Sequence, residues 1–176
     1  HNVYDALAAF TVGICQGMDE KKIALGLSKY EPAGMRQRIR KIGEITVVED
    51  CYNASPDSQK AAVNTLCCLD GKRKIAVLGD MLELGSHSAS LHSSVGEYVK
   101  SKGIDMLFTF GSESENTAKA ASGGKTVCKS FLDKDALAKA LCDEIKSGDT
   151  VLFKASRGMK LEEVIKKLYG EWNFNE

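Results

Sequence analysis

The chain has 176 residues, 43% of them apolar and 27% charged, a composition that suits an ordinary domain with one substantial core. Basic and acidic residues number 24 each, so the formal charge is zero, and no local basic patch suggests a nucleic-acid backbone or an anionic membrane as partner. No apolar run approaches the roughly 20 residues of a membrane span, and no signal or transit segment is visible, so a soluble, cytoplasmic protein is expected.

The chain opens at His1 in what already reads as a helix, without an initiator Met, and so reads as an excised fragment. Val3, Leu7, Phe10 and Ile14 recur at helical spacing over residues 2 to 16, predicting an amphipathic helix that packs on a core and stops at Gly17. A second helix is expected from Asp19 to Ser28, with an Asp cap and Ile23, Leu25 and Leu27 as its apolar residues, before a Pro32-Ala33-Gly34 break. From Ile42 onward, β-like runs at 44–49, 74–78, 105–110, 125–128 and 149–154 alternate with helical stretches near 56–69, 88–102, 113–121, 133–147 and 160–170. That alternation predicts a mostly parallel sheet flanked by helices, an α/β fold preceded by a short helical segment. Ser55 with Pro56, Ser112 with Glu115, and Asp133 are expected to start helices.

Six cysteines at 15, 51, 67, 68, 128 and 142 form no C-x-x-C pair and read as reduced, intracellular thiols. His1, His87 and His92 stand far in sequence from any suitable cysteine pair, so no metal site is expected. Gly123-Gly124-Lys125-Thr126 lacks the first glycine of a phosphate loop and leads into a strand, so it reads as a turn. His92 reads as a packed or capping side chain.

Chemistry is expected at the carboxyl ends of the strands, where open α/β sheets collect ligands. The first long apolar run ends Glu49-Asp50-Cys51-Tyr52-Asn53-Ala54-Ser55-Pro56, the second ends Leu78-Gly79-Asp80, and the last ends Lys154-Ala155-Ser156-Arg157. An acid at such a tip accepts from a ligand hydroxyl or holds a neighbouring loop. Two cations and a hydroxyl at the last tip read either as an anion site or as the complement of nearby acids.

His1-Asn2-Val3-Tyr4-Asp5, Gly34-Met35-Arg36, Asp50-Cys51-Tyr52-Asn53-Ala54-Ser55-Pro56, Leu78-Gly79-Asp80-Met81-Leu82-Glu83-Leu84-Gly85 and Lys154-Ala155-Ser156-Arg157 together closely resemble the Mur ligase family. The resemblance covers essentially the whole chain. It implies that residues 1–32 are the terminal helices of a central ATPase domain and that 33–176 are the Rossmann-like C-terminal domain, the upstream domains of the same polypeptide carrying the phosphate loop. Within the family, the Asp50 turn and the Leu78 loop look like those of the member that joins D-alanyl-D-alanine to UDP-N-acetylmuramoyl-tripeptide in bacterial peptidoglycan synthesis, using ATP and Mg2+. The fragment alone is expected to be inactive.

The resemblance also implies residue roles. Asn2 contacts adenine, and Asp5 stands where the family has a second Asn, so it can accept from the base but not donate. Arg36 reaches the ATP phosphates as the catalytic cation, Asp50 holds the ribose, and Tyr52 lines the nucleotide. Asn53, Ser55, Asp80, Lys154, Ser156 and Arg157 fall to the substrate side. The alternatives are another ligase of the same superfamily, such as a folylpolyglutamate type, or a free-standing Rossmann-like binding module. In a fragment without the ATP-activating half, the Asp50 tip is expected to be exposed and underused.

Overall fold

In a computed structural model, which describes residues 2–31 and 34–172, the chain divides into two compact units, His1–Ala33 and Gly34–Glu176. The first holds α1 (Asn2–Cys15) and α2 (Glu20–Ser28). The Asp19 carboxylate caps α2 by accepting from the Lys21 and Lys22 N–H groups at 3.1 and 3.2 Å, and Gly13 lets α1 approach Ile23 closely. Ile23 is the buried apolar side chain of this unit, whereas Val3, Leu7 and Ile14 stay exposed. The core expected beneath α1 is thus not built by the two helices, because a pair offers too little surface to cover a four-residue stripe.

The second unit is a six-stranded sheet with β1 (Arg38–Ile42), β2 (Ile45–Asp50), β3 (Lys74–Gly79), β4 (Met106–Phe110), β5 (Val127–Phe131) and β6 (Thr150–Lys154). Its order is β1-β2-β6-β3-β4-β5. Strand β1 is antiparallel to β2 and all other pairs are parallel. The five parallel strands match the sequence expectation, with β5 running 127–131 rather than 125–128. Strand β1 was not anticipated, since Arg38-Ile39-Arg40-Lys41-Ile42 is a cationic edge strand without an apolar run.

Helices α3 (Pro56–Cys68), α4 (Ser88–Lys102) and α5 (Glu115–Ala121) cover one face through Val63, Leu66, Val95, Val99 and Ala121. Helices α6 (Lys134–Glu144) and α7 (Glu162–Glu171) cover the other through Leu137, Leu141, Val164 and Leu168. Each fully buried Val or Leu among these contributes about 1.5–3 kcal/mol relative to exposure. The β5–α6–β6 connection carries the chain across to the second face and inserts β6 between β2 and β3. This insertion brings the first and last tips side by side.

Local start signals acted mostly as read. Ser55 forms a full capping box with Ser58, ahead of Pro56, and Asp133 caps α6. The Ser112–Glu115 box does not form: α5 starts from Ser114, whose hydroxyl donates to the Gly111 carbonyl instead. The cause lies in Asp80, whose Oδ1 takes the Ser114 N–H at 2.7 Å and sets the helix entry. At the amino end of the sheet, Arg73 grips Asp149 through two N–H bonds of 3.0 and 2.6 Å and raises its own pKa by that bond.

Candidate functional site

Parallel register sets the chemistry of the carboxyl edge. Asp50 of β2 and Leu78 of β3 both pair with Lys154 of β6, and laterally paired residues of a ladder point to the same face. Asp50 and Lys154 therefore meet: Nζ donates to Asp50 Oδ2 at 2.7 Å and to the Asn53 carbonyl at 2.9 Å. The Lys154 side chain is 4% exposed and that of Asp50 10%. Asp50 Oδ1 accepts from the Gln37 N–H at 3.3 Å.

Asp50 itself is consequently neither exposed nor underused, which corrects the expectation for the acid, while Tyr52, Asn53 and Ser55 of the same tip are exposed as expected. Removing a carboxylate from water is costly unless it is paired and hydrogen-bonded, and β6 supplies the partner. For Lys154, the alternative that the cation complements a nearby acid is the one found. Cys51, next along, donates its thiol to the Phe153 carbonyl, and burial pushes its pKa up.

Tyr52 projects from the same tip and is 46% exposed. The Arg36 guanidinium lies over its ring, with Cζ 3.7 Å from the centroid. Asn53 uses its own Oδ1 on the Ala54 N–H, and Ser55 spends its hydroxyl on the cap. Arg157 pairs with Glu162 at 3.2 Å on the surface.

Asp80 stands apart, because β6 separates β3 from β2. Its Oδ1 takes the Ser114 N–H and its backbone carbonyl the Ser156 N–H, while the Ser156 hydroxyl accepts from the Leu82 N–H at 2.9 Å. Gly111, at φ +115°, makes room: a Cβ there would lie 2.4 Å from the Asp80 carboxylate. Asp80 and Ser156 thus brace loops against each other. His92 is fully buried, and its Nε2 accepts from the Met81 N–H at 3.0 Å, which makes it another brace of the same loop. Asp5 is an exposed residue of α1 in the first unit, and the Asn2 side chain lies outside the described residues.

On the opposite face, Glu49 is buried beneath α7, and its Oε1 accepts from the Tyr169 hydroxyl at 2.5 Å with Arg40 Nε 3.2 Å away. Burial, then that bond, raises the Tyr169 pKa. A groove of about 600 Å³ opens there, lined by Arg38, Arg40, Glu49, Tyr52 and Tyr169 among others. Tyr52 and Arg157, which also lines this groove, were expected site residues, whereas sequence reasoning missed Arg38, Arg40, Glu49, Tyr169 and Gln37. The only available signal was Arg-x-Arg at strand period, which is weak without flanking apolar residues.

The chain is similar to known proteins along most of its length. The model for the Mur ligase glutamate ligase domain matches residues 35–157. The curated UDP-N-acetylmuramoyl-tripeptide–D-alanyl-D-alanine ligase of Bacillus subtilis is 39% identical over 172 residues, covering 96% of this chain and 38% of that protein. The enzyme of the same name from Escherichia coli is 34% identical, with 96% and 37% covered. The chain thus spans little more than a third of the curated relatives it matches. Among solved structures, MurF of Acinetobacter baumannii superposes with TM-score 0.88 at 26% identity, covering 97% of this chain and 38% of that one. MurF ligase of Thermotoga maritima in complex with ADP gives 0.77 at 30% identity, covering 92% and 36%. With the domain model matched across most of its length, the chain belongs to the Mur ligase family.

Proposed function

We propose that these residues serve as the C-terminal portion of an ATP-dependent ligase that joins D-alanyl-D-alanine to UDP-N-acetylmuramoyl-tripeptide in peptidoglycan synthesis. On this reading residues 1–32 belong to the end of a central ATPase domain and 33–176 form the C-terminal domain, acting with upstream domains of the same polypeptide in the bacterial cytoplasm. The observation that carries it is Arg36: an exposed guanidinium at the carboxyl edge of the sheet, held by the Tyr52 ring and, among the described residues, by no carboxylate. The names of the relatives supply the substrates.

ATP supplies the phosphoryl group that turns the tripeptide carboxylate into an acyl phosphate, from which phosphate leaves after the dipeptide amine attacks. Arg36 is suited to the negative charge that grows on the transferring group, since a guanidinium offers several fixed N–H donors. Each Asp50 oxygen accepts one bond and a carboxylate oxygen can accept a second, which on this reading is the ribose hydroxyl contact. Among the described residues no group of three or more His, Cys, Asp or Glu could hold a metal. On this reading Mg2+ is bound mainly by the upstream domains.

The test is an ADP-release assay on a polypeptide that carries these residues together with the remaining length of the relatives. Release is expected to require both the UDP-tripeptide and D-alanyl-D-alanine, single amino acids giving none, and the 176-residue chain alone is expected to be inactive. Release with a single amino acid but not the dipeptide overturns the proposed substrate, and ligation by the chain alone overturns the division of labour.

A further inference from the structure

Arg36 is supported in an unusual way. Its Cζ lies over the Tyr52 ring, 3.7 Å from the centroid, and no described carboxylate forms an ion pair with it. A guanidinium held by an acid would be neutralised and would spend its N–H edge, whereas one held by an aromatic face keeps both its charge and its donors directed outward.

The backbone beneath it is strained. Gln37, the next residue, sits at φ +47°, a left-handed conformation that costs a side-chain-bearing residue on the order of 1–3 kcal/mol and persists only where its surroundings enforce it. Its N–H donates to Asp50 Oδ1 at 3.3 Å. Asp50 is in turn fixed by Lys154 at 2.7 Å, and the same ammonium holds the Asn53 carbonyl, adjacent to Tyr52, at 2.9 Å. One buried cation thus clamps both halves of the stack: the carboxylate that holds the turn bearing Arg36, and the loop that bears the ring.

We propose that Lys154 and Tyr52 are positioning residues for Arg36, Lys154 acting through Asp50 and the Gln37 turn and Tyr52 through its ring face. This rests on the ligase reading above. It moves both residues from ligand contact to preorganisation: the guanidinium is locked in place before any phosphate arrives, so that alignment need not be achieved during the reaction.

The experiment measures kcat and KM on the longer ligase polypeptide for Tyr52→Leu, Tyr52→Phe and Lys154→Met, each with Arg36 intact and with Arg36→Ala. Tyr52→Leu and Lys154→Met are expected to lower kcat about 100-fold with the KM for the dipeptide unmoved, and Tyr52→Phe, which keeps the ring, to restore most of the loss. In the Arg36→Ala background neither substitution is expected to lower kcat further, because the group they position is gone. Losses that multiply with Arg36→Ala, or a Tyr52→Phe as impaired as Tyr52→Leu, overturn the proposal.

Since Tyr52 is on the surface, its variants keep the test decisive even if Lys154→Met unfolds. A second arm uses the 176-residue chain itself. The Arg36 Nε–H resonance is expected upfield by the Tyr52 ring current and to return to its free position in Tyr52→Leu. A resonance that does not move between the two overturns the stack. If the wild-type polypeptide ligates nothing, the functional reading fails, while this arm still decides the geometry.

Discussion

Lys154 and Arg157 lie three residues apart and carry the same charge, yet their surroundings give them different worth. Lys154 is buried against Asp50 at 2.7 Å, whereas Arg157 meets Glu162 at 3.2 Å with 61% of its side chain in solvent. Breaking a buried pair leaves an uncompensated charge and costs about 3–5 kcal/mol; a pair whose cation is mostly in solvent, as Arg157 is although Glu162 is only 15% exposed, is screened and worth about 0–1 kcal/mol. Lys154→Met is therefore expected to lower unfolding free energy by several kcal/mol in a urea titration, and Arg157→Ala to change it by less than about 1 kcal/mol. Equal effects would show that Asp50 is relieved by water. The acid and the cation could each be picked out in the sequence as tip residues, but their pairing could not, since it depends on which strand lies beside which.

Between elements, helix α4 approaches α5 at Gly96, where an added Cβ would stand 2.2 Å from the Thr117 carbonyl oxygen and 2.8 Å from Ala120 Cβ. Ala is favoured over Gly in a helix by about 1 kcal/mol, yet overpacking against backbone costs about 1–3 kcal/mol. Gly96→Ala is accordingly expected to lower the melting temperature, despite its better propensity, in a calorimetric scan. Most elements were legible from local signals: the Ser55-Pro56 start, the Asp19 and Asp133 caps, and the apolar runs of the parallel strands. Two features were not. Strand β1 carries charge where a strand is usually apolar, and pairs only because β2 offers it an open edge. The Ser112–Glu115 signal lost to Asp80, which binds the Ser114 N–H from another strand tip and shifts the helix start.

For the molecule as a whole, burial is uneven. The sheet unit contains both hydrophobic clusters, including the fully buried Val151, Leu152 and Phe153 of β6, while the first unit buries Ile23 alone among its described apolar side chains. Two short helices with so little packing are marginal in water, so hydrogen exchange followed by mass spectrometry on this chain is expected to find residues 2–28 weakly protected and β6 protected near the global limit. Equal protection would refute the division. Fold class, the five parallel strands with their helices and the identity of the tip residues follow from local sequence, because periodicity, caps and turns act over a few residues. Tertiary structure alone decided that β6 enters between β2 and β3. That insertion joins Lys154 to Asp50 across 104 residues of chain, desolvates both, and thereby sets the turn on which Arg36 is presented.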